Sequence, residues 1–166
     1  MSLDNITLPG FIIQDLFQKC LADVNENNYG KVPDEKGILN FYGGNNQQIT
    51  ILVNNPDETY LSTMDLDFLS GILNACKLSM EDVALVNMAT STKLYYQTIS
   101  KQLVSKIVLL FGVLPAAIEL PFVIPEFQKQ LHNNQIYLCA PSLNLLQNNT
   151  DLKRKLWVSL KQIFSL

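Results

Sequence analysis

Residues 136–166 run IYLCAPSLNLLQNNTDLKRKLWVSLKQIFSL, and the pattern they carry points to the fold class. A short apolar run, a tight loop and an amphipathic helix follow one another. The run IYLCA has the composition of a buried strand, and Pro141 ends it because proline has no N–H to give to a sheet ladder. The loop Ala140-Pro141-Ser142 therefore stands at the carboxyl end of a strand. Ligands of open α/β sheets bind outside that edge, so these three residues are the first place to look for chemistry.

Upstream, three more apolar runs carry the same signature: ITILV at residues 49–53, VALV at 83–86 and IVLLF at 107–111. They read as continuous apolar strands rather than alternating ones, and helical patterns separate them. Leu61, Met64, Leu69, Ile72 and Leu73 fall at helical spacing within residues 59–77, and a second helix is expected from about Tyr95 to Ser105. Buried strands alternating with helices indicate a mainly parallel sheet covered on both faces. The expectation is an α/β fold, a three-layer α/β/α sandwich with a sheet of about four strands. Pro115, Pro121 and Pro125 limit residues 114–132 to short helical or irregular pieces.

Before the first strand, Phe11, Ile12, Leu16, Cys20 and Val24 follow a 3.6-residue period, which predicts an amino-terminal helix within residues 1–24. Residues 25–46 are polar and broken by Gly30, Pro33, Gly37 and Gly43-Gly44, with at most a short strand near residues 38–41. The 166 residues, 48% of them hydrophobic, suit one well-buried domain spanning 1–166.

Composition narrows the function classes. A net charge of -3 gives the whole surface no attraction for a polyanion, so direct DNA contact is expected to be weak and local. Only 16% of residues are charged, a sparse coat for a protein that works alone, and a protein partner is expected. The three cysteines lie far apart in apolar segments without CxxC spacing, against a disulfide framework or zinc site and in favour of a reduced cytoplasm. No apolar run reaches membrane-spanning length, and MSLDNITLPG lacks the basic start and apolar core of a leader, so neither export nor membrane insertion is expected.

Few residues offer chemistry. His132 is the single histidine and has no carboxylate or serine beside it, which favours a surface role over that of a catalytic base. Asp57 and Glu58 follow the first strand, where a catalytic carboxylate could stand, although Pro56-Asp57 also makes an ordinary turn. No glycine-rich phosphate loop and no metal-ligand cluster is present, and no cofactor is expected. Lys153, Arg154, Lys155 and Lys161 surround the stripe Leu152, Leu156, Leu160 and Ile163. They form either a solvated helix face or a patch for phosphates or an acidic partner. At its spacing Trp157 belongs with the core, with an interface anchor as the other reading.

Taken together from residue 49 onward, four motifs resemble the uracil-DNA glycosylase superfamily. These are the loop Val53-Asn54-Asn55-Pro56-Asp57; the link Leu78-Ser79-Met80-Glu81-Asp82-Val83 leading to a strand that ends in Asn87; the strand closing in Leu110-Phe111-Gly112; and Ala140-Pro141-Ser142 followed by Leu145-Leu146, Asn148, Lys153, Trp157 and Leu160. The resemblance implies that Asn54 and Asp57 stand at the water-activating loop and Asn87 at the base-reading position. It also implies that Ala140 stands where glycosylases keep the histidine that stabilises the uracil anion. Alanine gives no hydrogen bond there, and losing a preorganised donor of that kind costs about 3 kcal/mol, roughly a hundredfold in rate or more.

Within that superfamily the chain is most similar to the catalytically degenerate psi-subunit branch of the bacterial DNA polymerase III clamp loader. The likeness rests on Ala140-Pro141-Ser142-Leu143, Asn149, Lys153 or Arg154, and Leu156-Trp157. That resemblance implies a noncatalytic replisome adaptor bridging the clamp loader and a chi-like partner of single-stranded DNA-binding protein. Phe11, Ile12 and Leu16 would dock on the clamp loader, and Lys153, Arg154 and Trp157 are further partner-binding candidates. The alternative is a divergent glycosylase in which Asp57 or Glu58 activates water and Asn87 reads the base.

Overall fold

Five runs of chain form the sheet, and the apolar character of four of them explains why they are largely buried. In the computed structural model, which describes residues 39–91 and 94–166, the strands are β1 (Ile49–Val53), β2 (Val83–Asn87), β3 (Ile107–Phe111), β4 (Lys129–His132) and β5 (Gln135–Ala140). They lie in the order β2-β1-β3-β5-β4. β1 pairs parallel with β2 and β3, β3 pairs parallel with β5, and β4 runs antiparallel to β5. The described residues lie within the compact unit Gly37–Leu166. The amino-terminal helix read at residues 11–24, with Phe11, Ile12 and Leu16, falls outside them.

The register puts alternate side chains on opposite faces. Ile49, Ile51, Val53, Val83, Leu85, Leu109, Phe111, Leu138 and Ala140 share one apolar cluster, whereas Leu52, Ala84, Val86, Val108, Leu110, Tyr137 and Cys139 share the other. Helices α1 (Thr63–Ala75), α3 (Leu143–Asn148) and α4 (Thr150–Phe164) cover the first face through Leu69, Leu73, Leu143, Leu146, Leu156 and Leu160. Helix α2 (Tyr96–Leu103) and the turn Pro115–Ile118 cover the second through Ile99, Leu103 and Ile118. Cover on both faces is compatible with a three-layer sandwich.

Three sequence expectations need correction. The sheet has five strands rather than about four, because residues 129–132 form an edge strand within the stretch read as short helical or irregular pieces. Only Leu131 is aliphatic in Lys129-Gln130-Leu131-His132, and it is 72% exposed, so the run carries no burial signal. The helix expected over residues 59–77 begins at Thr63, because Ser62 caps it: its Oγ accepts from the Asp65 N–H at 3.2 Å. The carboxyl-terminal helix is two helices. Asn149 adopts φ -133° and ψ 110° between them, and its Oδ1 accepts from the N–H groups of Asp151 and Leu152, starting α4 afresh.

The other sheet edge, β2, is partly paired. Tyr42 and Leu85 exchange backbone hydrogen bonds at 2.9 and 2.8 Å. Gly43 follows at φ +112°, and a Cβ there would come within 2.5 Å of the Met80 carbonyl oxygen, so only glycine fits against the start of β2.

Candidate functional site

The sheet order locates the crevice. From β1 the chain crosses to β2 over the face that carries α1, whereas from β3 it proceeds toward β5 over the opposite face, through Ile118, Leu120 and Ile124. Loops leaving the neighbouring strands β1 and β3 therefore part to opposite sides. Such a switch point leaves a crevice outside the carboxyl ends of its two strands. Asn54 follows β1 there, and Gly112 follows β3.

Two cavities flank this point, and Asn54 lines both. The smaller, about 230 Å³, is bounded by Asn54, Asn55, Asp65, Ser142 and Asn144 over an apolar floor that includes Val53 and Phe111. The larger, about 390 Å³, is bounded by Asn54, Met88, Leu94, Gly112 and Leu114. Gly112, at φ +67°, lets the β5 loop close over the edge: a Cβ there would sit 3.0 Å from Ser142 Cβ. Its N–H donates to the Ala140 carbonyl at 2.9 Å.

Ala140 is buried in the cluster under α1 and α3, beside Phe111 and Leu143. Its neighbour Cys139 belongs to the opposite face, where its Sγ donates to the Val113 carbonyl at 3.7 Å. Burial, then the nearby Glu126 carboxylate, pushes the Cys139 thiol above its ordinary value. Neither side chain brings an acid, a base or a strong donor to the crevice.

Asn87 ends β2 and is 1% exposed. Its Nδ2 donates to the carbonyls of Asn55 at 2.7 Å and Glu58 at 2.8 Å, with Thr59 O at 3.2 Å, and its Oδ1 accepts from the N–H groups of Asn55 and Ala89. A primary amide has two N–H donors and two lone pairs, and all are engaged here. Asn87 therefore pins the loop after β1 and has no hydrogen-bonding group left over for a ligand. Asp57 is exposed on that loop, with its N–H donating to Asn55 Oδ1 at 3.3 Å, and it lines neither cavity.

One carboxylate escaped the sequence reading. Asp65 lines the smaller cavity, but its Oδ2 accepts from Ser62 Oγ at 2.9 Å and its Oδ1 from Gln147 Nε2 at 2.7 Å, tying α1 to α3. Only its place in the first turn of a helix could have drawn attention to it. His132 sits at the other end of the sheet, opposite Gln135 at the start of β5. It packs against the Phe122 ring at 4.8 Å and the Tyr96 ring at 6.1 Å.

The basic helix face divides in two. Arg154 makes a solvent-exposed pair with Asp151 at 3.7 Å, of a kind that contributes little to stability. Lys153 and Trp157 instead meet Phe68 and Ile72 of α1 in a groove of about 380 Å³. Trp157 is half-buried, between the core and interface readings. Thus Asn54 and Ser142 come together at the crevice, Lys153 and Trp157 in the groove, while Asn87 lies beneath the β1 loop, Asp57 in solvent and Arg154 on the outer helix face.

Among the described residues no group of histidine, cysteine, aspartate and glutamate could hold a metal ion, and no helix is long and apolar enough to cross a membrane. Compared with protein-family models and with curated proteins, the chain matches none.

Proposed function

We propose that the chain is a noncatalytic adaptor with a uracil-DNA glycosylase-like three-layer fold, related to the psi subunit of the bacterial clamp loader and working in the cytoplasm. The observation that carries this reading is the state of Asn87 and Ala140. The amide at the base-reading position is consumed in holding its own loop, and the position of the anion-stabilising histidine is a buried methyl group. A site of this kind keeps a switch-point crevice while its would-be reacting groups serve the fold.

Supporting the adaptor role is the sparse surface charge, together with the half-buried Trp157 on a basic helix. The partners proposed are the clamp-loader and chi-like subunits, with Phe11, Ile12 and Leu16 as the clamp-loader contact. Size-exclusion chromatography of the full chain with those subunits of the same organism tests this. Co-elution with either is expected; separate elution from both refutes it.

A further inference from the structure

Helices α1 and α4 lie side by side and leave the apolar groove between them. Phe68, Ile72, Leu156 and Trp157 line it, and on the α1 side Gly71 and Ala75 keep it open. Glycine inside a helix is disfavoured relative to alanine. Yet Gly71 stands in the interior of a 13-residue helix, where an added Cβ would meet nothing within 4 Å. Packing within the described chain gives no reason for a glycine there, whereas close approach of a partner's backbone does.

The groove is also charged in one sense along α4. Lys153 Nζ lies 5.5 Å from the centre of the Phe68 ring and Lys161 Nζ 5.9 Å from that of Trp157. Among the described residues neither lysine has a carboxylate partner, although Asp67 borders the groove on the α1 side. Two cations without a carboxylate partner among the described residues, poised over aromatic rings beside an apolar trough, complement a ligand that is apolar on one side and acidic along its edge.

We propose that this groove docks an acidic amphipathic helix of a partner protein. The helix lays its apolar stripe on Phe68, Ile72 and Trp157, approaches closely over Gly71, and sets carboxylates against Lys153 and Lys161. The proposal rests on the adaptor reading but fails separately from it: co-elution with a clamp-loader or chi-like subunit without peptide binding sinks the groove alone.

Trp157 is the one tryptophan in the chain, so its emission reports the groove directly. The probes are a synthetic Leu/Glu amphipathic peptide of about 18 residues and a twin with Lys in place of Glu. With the full-length chain the acidic peptide shifts Trp157 emission saturably and more weakly as salt is raised, and the basic twin binds at least about tenfold more weakly. Lys153→Glu with Lys161→Glu reverses that order at an unchanged melting temperature. Gly71→Leu, which a helix tolerates, blocks the acidic peptide. Equal binding of the two peptides, or no shift with either, overturns the proposal. So does a Trp157 shift that tracks protein concentration as a second copy associates, or tighter binding of a peptide of residues 11–24 than of the acidic probe.

Discussion

Replacing Asn87 separates a structural amide from a ligand-reading one. Its four groups make close hydrogen bonds to Asn55, Glu58 and Ala89, at distances between 2.7 and 3.1 Å. Each such bond contributes about 1 kcal/mol net. Water reaches the exposed side of the loop and recovers part of the loss, so Asn87→Ala is expected to cost about 3 kcal/mol. For a domain of this size that is a fall of roughly 9 °C in Tm. Asn87→Asp should be at least as damaging, because a carboxylate would face the carbonyls of Asn55 and Glu58. Urea unfolding followed by circular dichroism measures the loss, and a Glu-specific protease measures its location. Cleavage after Glu58 should rise at least about tenfold as the loop is released. A loss below about 1 kcal/mol, or an unchanged cleavage rate, would refute the assignment of Asn87 to the loop.

Two further outcomes follow from the same structure. Val104 sits at φ +48° while 59% exposed, a left-handed conformation that costs a β-branched residue about 1–2 kcal/mol. Val104→Gly should therefore raise stability by about 1 kcal/mol in urea unfolding, and a decrease would contradict the strain. Burial pushes the thiols of Cys76 and Cys139 above their ordinary value of 9.0, and burial again pushes Tyr137 above 10.0, against a lowering hydrogen bond from Ser100. The folded state thus holds these protons more tightly than the unfolded chain. Their contribution is complete below about pH 9 and is lost as pH rises through and beyond that point, with a slope of up to about 1.4 kcal/mol per pH unit for each group. Urea midpoints that fail to decline between pH 8 and 10 would contradict this.

How much of the molecule can be read from its sequence depends on which residues are buried. β1, β2, β3 and β5 are legible because each is a run of apolar residues long enough to cross a sheet and is covered on both faces. β4 is not, because an edge strand needs backbone pairing rather than apolar side chains, and Lys129-Gln130-Leu131-His132 advertises none. The break at Asn149 is masked by the stripe Leu146, Leu152, Leu156, which keeps an apolar rhythm across both helices while the cap acts through one side-chain oxygen. What the sequence shows of the crevice is that Asn54 and Ser142 each stand just beyond the carboxyl end of an apolar run, whereas the sheet order that brings those ends together is visible only in the structure. The bonding of Asn87 is not legible, because its carbonyl partners lie 28 to 32 residues away and have no side-chain signature. Gly71 is visible in the sequence only as a poor helix residue; its meaning depends on the groove across from it.

A noncatalytic adaptor, as proposed above, requires that the crevice at the carboxyl edge carry out no base excision. That requirement is tested most directly by incubating the full-length protein with uracil-containing single- and double-stranded oligonucleotides and assaying abasic sites by alkaline cleavage. No abasic sites above the buffer control are expected at stoichiometric protein. Abasic sites that form and then disappear with Asp57→Ala or Asn54→Ala would contradict it.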